Sequence, residues 1–167
     1  MSSKPKSRHS FINNFFKKGV FFILLISFMN MYFNTMNIKS SQTLVEAAKK
    51  SIETLSPEEV KKLSDNKDIT LVDVRDIREL WNEGTIENSK HIPRGMLEFW
   101  LDPNSSYYNA NKIGDIKKMV LFCAAGFRSA LAAKSLVDMG FKNVAHVDGG
   151  FDALKNAGLK VVEKEKK

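Results

Sequence analysis

The sequence is poor in the residues from which disulfides and metal sites are built. Its 167 residues include a single cysteine, Cys123, and three histidines that lie far apart. One cysteine excludes an intramolecular disulfide, and the scattered histidines leave no clustered zinc-ligand pattern. The sequence therefore predicts no metal site, and we also expect no bound cofactor.

The central part of the chain lacks a general excess of positive charge. The formal net charge is +7, but the basic residues concentrate at the two ends. Residues 1–18 contain five basic residues and no acidic one, and residues 160–167 contain four lysines against two glutamates. Because the residues between them are close to neutral, we do not expect nucleic acid as a partner. The last residues, 163–167, are predicted to be a charged tail.

One long apolar run is present, over residues 19–33, within a basic N-terminal region that we place at 1–35. The run suits a signal or anchor segment, although a spanning helix needs roughly 20 residues. No small-x-small cleavage site follows it. An uncleaved membrane anchor through residues 19–33 is therefore the preferred interpretation. The positive charges before the run predict a domain outside the cytoplasm, on the periplasmic side.

A second start site gives a different prediction. Met36 opens a stretch that would itself serve as the beginning of a soluble protein. If translation starts there, the apolar run is absent from the product and the protein is cytoplasmic. The sequence leaves both starts open.

The remaining sequence alternates between strand and helix patterns, and its length suits one ordinary domain with a short appendage. Capping boxes mark two helix starts: Ser56 precedes Pro57 and Glu59, and Asp76 precedes Glu79. The alternation predicts an α/β domain with a parallel sheet covered on both faces. Predicted strands lie at 52–55, 69–74, 119–122, 143–147 and 159–162, predicted helices at 42–50, 56–64, 76–83, 129–139 and 151–156, and an irregular stretch at 85–91.

The single cysteine stands where a buried strand gives way to a helix. The apolar run Met119–Phe122 ends at Cys123, and a short loop leads to a helix that is predicted to begin near Ser129. Unpaired backbone N–H groups and the positive end of the helix dipole favour a thiolate at such a position. Gly126 lets successive N–H groups converge, and Arg128 adds a fixed positive charge. These residues predict an anion cradle in which the thiolate attacks an electrophilic sulfur or phosphorus.

Four separated motifs resemble those of the rhodanese-like sulfurtransferases, in that family's order. They are Asp73-Val-Arg75, His91-Ile-Pro-Arg-Gly95, Cys-x-x-Gly-x-Arg-Ser over residues 123–129, and Val147-Asp-Gly-Gly-Phe151 with Gly158 after it. The resemblance covers residues 42–162 and implies a central parallel five-stranded sheet with helices on both faces. It also implies that Cys123 takes a sulfane sulfur from a small donor anion such as thiosulfate, becomes a persulfide, and passes the sulfur to cyanide or a thiol.

The resemblance assigns roles to the residues around Cys123. The persulfide or donor anion would be held by Arg128 and by the backbone N–H groups of the loop, which comprises Ala124, Ala125, Gly126, Phe127, Arg128 and Ser129. A plain salt bridge is the alternative for Arg128. Asp73 and Arg75 are expected to support the loop by hydrogen bonds and an ion pair, and His91 and His146 are expected to be structural.

Two features depart from the family pattern. Residues 84–89 read Gly-Thr-Ile-Glu-Asn-Ser where members often carry Gly-His-Ile-Pro-Gly-Ala, which predicts a changed turn with the chemistry retained. Ala124 follows the cysteine where many members have a basic residue, so a strong preference for thiosulfate is not expected.

Two other functions stay open. A cysteine phosphatase or arsenate reductase would use a similar thiolate, but the phosphatases place their arginine six residues after the cysteine, whereas Arg128 lies five after Cys123. The shorter loop predicts a smaller pocket and favours sulfur over phosphorus.

The chain could instead be a non-catalytic module, or one that relays sulfur only within a complex. With one cysteine, an acceptor thiol must come from another molecule, which allows a protein acceptor.

Overall fold

The structure is a computed structural model that describes residues 19–31, 38–110 and 118–166. The chain divides into two units, residues 1–40 and 41–167. In the first unit a helix is described over residues 19–31. The described part of this helix spans about 20 Å at 1.5 Å per residue, whereas the hydrocarbon core of a bilayer is about 30 Å thick.

This finding corrects the prediction of a membrane anchor. Within the described ranges no helix is both long enough and apolar enough to cross a membrane. The anchor through residues 19–33, and the location outside the cytoplasm that followed from it, are therefore wrong. The basic residues 1–18, the end of the apolar run at 32–33 and the second start at Met36 lie outside the described residues.

The second unit is built on a five-stranded sheet in which every pairing is parallel. The strand order is β1-β6-β5-β2-β4, so β5 lies in the centre. These strands are β1 Glu53–Leu55, β2 Thr70–Asp73, β4 Lys90–His91, β5 Met119–Phe122 and β6 Val144–Val147. The helices are α1 Ser41–Lys49, α2 Pro57–Asp65, α3 Ile77–Glu83, α4 Leu97–Leu101, α5 Phe127–Asp138 and α6 Gly150–Asn156, with a 3-10 turn at Arg94–Met96. The predicted five-stranded parallel sheet is confirmed.

The sequence pattern predicted four of these five strands but assigned the wrong segment as the fifth. The last predicted strand is β7 Val161–Val162, and it pairs antiparallel with β3 Thr85–Ile86 in a separate two-stranded sheet. The fifth parallel strand is β4, which falls in the stretch predicted to be irregular. β4 is two polar residues long, so it has no apolar alternation, and backbone pairing with β2 holds it in place: Asp73 lies opposite His91, and the N–H of Ile92 donates to the carbonyl of Asp73.

Alternation along β5 divides the core between the two faces of the sheet. Leu121 belongs to a cluster with residues of α4 and α5, and its neighbour Phe122 belongs to a cluster with residues of α2 and α6. All four residues of β5 are buried, as expected for a central parallel strand with helices on both sides. The predicted helices on both faces are confirmed.

Local capping chemistry begins two of the helices as predicted. The Ser56 side chain accepts from the N–H of Glu59, and the Glu59 carboxylate accepts from the N–H of Ser56. Asp76 and Glu79 form the equivalent reciprocal box at the start of α3. Helix α5 begins at Phe127, two residues earlier than the sequence indicated, which shortens the cysteine loop.

Replacing Leu121 by alanine should destabilise the domain by about 2–5 kcal/mol, because its fully buried side chain would leave a cavity between the sheet and α5. Urea unfolding followed by circular dichroism measures this change. Leu44→Ala is the matched control, since that side chain is 45% exposed and its loss should cost less than about 0.5 kcal/mol. Equal costs for the two variants would contradict the placement of β5 at the centre of the core.

Candidate active site

Cys123 follows directly after the central strand β5, at the carboxyl edge of the sheet. The ends of β2 and β6 meet at the same edge, since parallel strands run in one direction, and open α/β sheets place their sites there. The cysteine is 1% exposed and is not in a disulfide. The thiol therefore lies at the bottom of the loop that follows it, where solvent has little access.

The predicted six-residue cradle is divided between a short loop and the first turn of a helix. Gly126 has a left-handed backbone (φ +91°) and is the N-cap of α5, so Phe127, Arg128 and Ser129 are helical. Backbone N–H groups in a first turn have no acceptor within their own helix, and they are free to bind an anion. The Ser129 hydroxyl donates to the carbonyl of Gly126 (3.0 Å), which fixes this turn, while Phe127 is 52% exposed at its rim.

The turn between β6 and α6 lies against the backbone of the cysteine loop. The N–H of Phe151 donates to the carbonyl of Cys123 at 2.7 Å. Gly150 has φ +64°, and a Cβ on it would lie 2.3 Å from the carbonyl oxygen of Cys123 and 2.4 Å from that of Ala124. Only glycine allows the two backbones to approach so closely, so Gly150 is a structural requirement of the site.

The Asp73–Arg75 pair lies behind the loop and is linked to it through Phe151. Both side chains are fully buried, and Arg75 donates to the Asp73 carboxylate from Nε (3.1 Å) and from its terminal nitrogen (2.8 Å). The remaining donors of Arg75 reach Glu83 and the carbonyl of Gly84. Its guanidinium carbon lies 3.9 Å from the centre of the Phe151 ring. The N–H of Phe151 in turn donates to the carbonyl of Cys123, so the pair is connected to the loop through Phe151.

Arg128 lies in an ion pair with Glu79. Its two terminal nitrogens donate to the two carboxylate oxygens at 2.6 and 2.7 Å. The pKa of Arg128 is raised, mainly by hydrogen bonding to Glu79 and further by the proximity of Cys123. The same pairing lowers the pKa of Glu79. The salt bridge that was the alternative for Arg128 is thus present, and the guanidinium also lies within electrostatic reach of the cysteine.

The two histidines of the domain contact the framework of the site. His91 Nε2 lies 2.9 Å from the carbonyl oxygen of Arg75. His146 is fully buried in β6, with Nε2 3.1 Å from Thr54 Oγ1 and Nδ1 3.5 Å from Ser129 Oγ. Burial lowers the pKa of His146 from 6.5 to about 4, and the nearby Lys49 charge contributes in the same direction. Near neutral pH it is therefore an uncharged ring behind the cysteine loop.

Sequence reasoning missed three residues that the structure brings to the site. Glu79 was recognised only as a helix cap, and Gly150 and Phe151 only as part of a motif with no assigned contact. In each case the partner lies far along the chain, so no local pattern could have identified it. The described part of the chain contains no group of three or more His, Cys, Asp or Glu side chains placed to hold a metal ion.

Comparison with known proteins finds a matching family model and similar solved structures. The model of the Rhodanese-like domain family matches residues 56–157. A solved structure from Rhodopseudomonas palustris CGA009, of a protein of unknown function described as a possible tyrosine phosphatase, is 44% identical with a TM-score of 0.69; the match covers 74% of this chain and 95% of that one. The polysulfide-sulfur transferase homodimer of Wolinella succinogenes is 38% identical with a TM-score of 0.58, over 74% and 88% of the two chains.

A curated relative carries a different activity. The tRNA uridine(34) hydroxylase of Photorhabdus laumondii is 34% identical over 101 residues, which is 60% of this chain. This chain spans only 28% of that relative's length. The proteins to which the chain is similar therefore include both a sulfurtransferase and a tRNA hydroxylase.

Gly150→Ala should lower the unfolding free energy by at least about 2 kcal/mol, because strain at positive φ adds to the clash with the cysteine loop. Gly140→Ala is the control. It has the same kind of backbone (φ +100°) but nothing within 4 Å of the added Cβ, so it should cost only about 1 kcal/mol. Urea unfolding of both variants tests the difference, and equal losses would show that the turn does not press against the loop.

The buried His146 predicts a pH dependence of stability. Its folded pKa of about 4 lies below the unfolded value, so on acidification the unfolded chain binds a proton first and stability falls. Between pH 6.5 and 4.5 this should remove on the order of 2 kcal/mol. Urea unfolding at half-unit pH steps measures the slope, and His146→Gln should flatten it. A variant with the wild-type slope would exclude His146 as its source.

Proposed function

The chain belongs to the rhodanese-like family, and we propose that it moves a sulfane sulfur from a small donor anion to a thiophilic acceptor through a persulfide on Cys123. The observation that carries the proposal is the position of the thiol. Cys123 directly follows the central strand, is buried, and is separated by three residues from the first turn of α5, whose N–H groups have no acceptor within the helix. Such a setting stabilises an anionic sulfur before and after transfer.

The transfer proceeds in two displacements that need no oxidant or metal. The Cys123 thiolate attacks the sulfane sulfur of the donor, a new S–S bond forms, and the old bond breaks so that the donor remnant leaves with the electron pair. With thiosulfate the remnant is sulfite. The acceptor then attacks the outer sulfur of the persulfide, and Cys123 departs as the thiolate. Cyanide would become thiocyanate, and a thiol would become a persulfide.

The neighbouring residues hold the anions rather than exchange protons. The N–H groups from Ala124 to Ser129 would bind the outer sulfur or the donor, since a helix start concentrates positive potential there. Arg128, kept in place by Glu79, would add only the residual field of that ion pair beside the thiol. Asp73 and Arg75 would act only on the shape of the loop, through Phe151.

The burial of the thiol restricts the donor and the acceptor. At 1% exposure, Cys123 can be reached by the end of a small molecule or by an extended sulfur group, but not by a flat protein surface. The domain has no second cysteine, so any acceptor thiol is supplied by another molecule. A protein acceptor would have to present its cysteine on a flexible or protruding segment.

Phosphoryl transfer is the second candidate, because the similar protein from R. palustris is described as a possible tyrosine phosphatase. Against it, Arg128 follows Cys123 by five residues and α5 begins at Phe127, which leaves a loop of only three residues between the cysteine and the helix. Arg128 is also occupied on both terminal nitrogens by Glu79. Hydrolysis of an aryl phosphate that disappears in Cys123→Ser would reverse this order.

Incubating the purified protein with a panel of sulfane donors should add one sulfur atom to Cys123, detected by intact mass and removed by cyanide with release of thiocyanate. Cys123→Ser should gain no sulfur and lose at least about a thousandfold in transfer rate, since the covalent route is removed. Ser135→Ala, which changes a hydroxyl farther along α5, should keep its activity. An unchanged wild-type mass with every donor would rule out the proposed reaction.

A further inference from the structure

The arginines of this domain are paired with carboxylates without exception in the parts that the structure describes. Within residues 38–110 and 118–166 the pairs are Arg75 with Asp73 and Glu83, Arg78 with Asp76, Arg94 with Glu98, and Arg128 with Glu79. Arg128 is the arginine beside the reactive cysteine. Because Arg128 lies beside Cys123, its pairing with Glu79 changes the charge that a substrate meets there.

The Glu79 carboxylate is held firmly against Arg128. Glu79 Oε2 accepts from the backbone N–H of Asp76 at 3.0 Å as well as from Arg128 at 2.6 Å, so the helix cap of α3 fixes its orientation. The two side chains are 26% and 42% exposed, which places the pair at the partly solvated rim of the site. There the pair has no net charge, although its two ends remain polar.

The loop residues that flank Cys123 and Arg128 add no formal charge of their own. Ala124 and Ala125 follow Cys123, and the exposed Phe127 covers the start of α5. Attraction of an anion thus depends on backbone N–H groups and on the small residual field of the ion pair. A dianion gains twice as much as a monoanion from a positive charge, so cancelling that charge disfavours the dianion more strongly.

We propose that Glu79 sets the donor specificity of Cys123: by neutralising Arg128, it makes the site select a singly charged persulfide or hydropolysulfide over the thiosulfate dianion. This inference rests on the proposed sulfur transfer and names its donor class. Glu79 touches neither the sulfur nor the donor, and it acts through Arg128 as a specificity-determining, positioning residue.

The loading step with such a donor is balanced. The Cys123 thiolate attacks the outer sulfur of the singly charged donor R–S–S⁻, and the S–S bond to Cys123 forms as the bond to R–S breaks. R–S⁻ leaves with the electron pair of the broken bond and takes up a proton from water, while the negative charge of the donor stays on the transferred sulfur as Cys–S–S⁻. The sulfur keeps its sulfane oxidation level, so no oxidant or reductant is consumed.

The test compares Glu79→Gln with the wild type using two probes, thiosulfate and cysteine persulfide, whose net charges are −2 and −1. Glutamine keeps the capping acceptor of α3 and a hydrogen bond to Arg128, but removes the negative charge. Glu53→Gln is the matched control. It removes the same charge at the start of β1, where Glu53 pairs with Lys118 at the opposite, amino edge of the sheet.

The wild type should load Cys123 faster from cysteine persulfide than from thiosulfate. In Glu79→Gln the ratio of the two second-order loading rates should shift toward thiosulfate by about fivefold. The shift should shrink in 1 M salt, where charges are screened beyond about 3 Å. A purely structural role would lower both rates together and leave their ratio and its salt dependence unchanged. Glu53→Gln should keep the wild-type ratio.

A binding measurement checks the same inference without turnover. In a Cys123→Ser background, Glu79→Gln should tighten thiosulfate binding about fivefold in calorimetry. If both donors load Cys123 but the variant leaves their ratio and the thiosulfate affinity unchanged, the inference about Glu79 is wrong and sulfur transfer stands. A wild type that prefers thiosulfate also overturns it. If no donor loads Cys123, the proposed function and this inference both fail.

Discussion

The buried ion pair between Asp73 and Arg75 is the interaction on which the carboxyl edge of the sheet depends. Two charges removed from water are stable only when every donor and acceptor finds a partner. Arg75 meets this condition through Asp73, Glu83 and the carbonyl of Gly84, and Asp73 also accepts from Thr85. Throughout the described residues no buried side-chain nitrogen or oxygen lacks a hydrogen-bond partner. The pair therefore fixes the ends of β2 and α3 in one arrangement.

The cysteine loop takes its shape from that arrangement. Arg75 lies against the Phe151 ring, Phe151 holds the carbonyl of Cys123, and Gly150 brings the two backbones into contact. The Cys123 backbone is thus held by other backbone groups, and the charged side chains of Asp73 and Arg75 reach it only through Phe151. Two tasks would then be separate: the buried Asp73–Arg75 pair holds the geometry, and in our proposal the rim pair of Glu79 and Arg128 sets how much charge a substrate meets.

Features that depend on neighbours in sequence were predictable. The capping boxes at Ser56 and Asp76, the buried strand before Cys123 and the left-handed glycine after it all arise within a few residues. Where the pattern was too short to carry periodicity, the prediction failed. β4 was missed because two polar residues show no alternation, and β7 was placed in the wrong sheet because a strand pattern does not specify its partner. The apolar run at 19–33 suggested an anchor from composition alone, but no helix within the described residues is long and apolar enough to cross a membrane.

By itself, the sequence determined that a lone cysteine would stand between a central strand and a helix, because hydrophobic runs and glycine act locally on the backbone. It also carried the family resemblance, because the motifs are contiguous. Only the tertiary structure decided what surrounds that cysteine. Arg128 meets Glu79 across 49 residues, and the N–H of Phe151 reaches Cys123 from a separate strand and turn. Such contacts follow from the order in which strands pair, and that order is set by long-range packing of the whole domain.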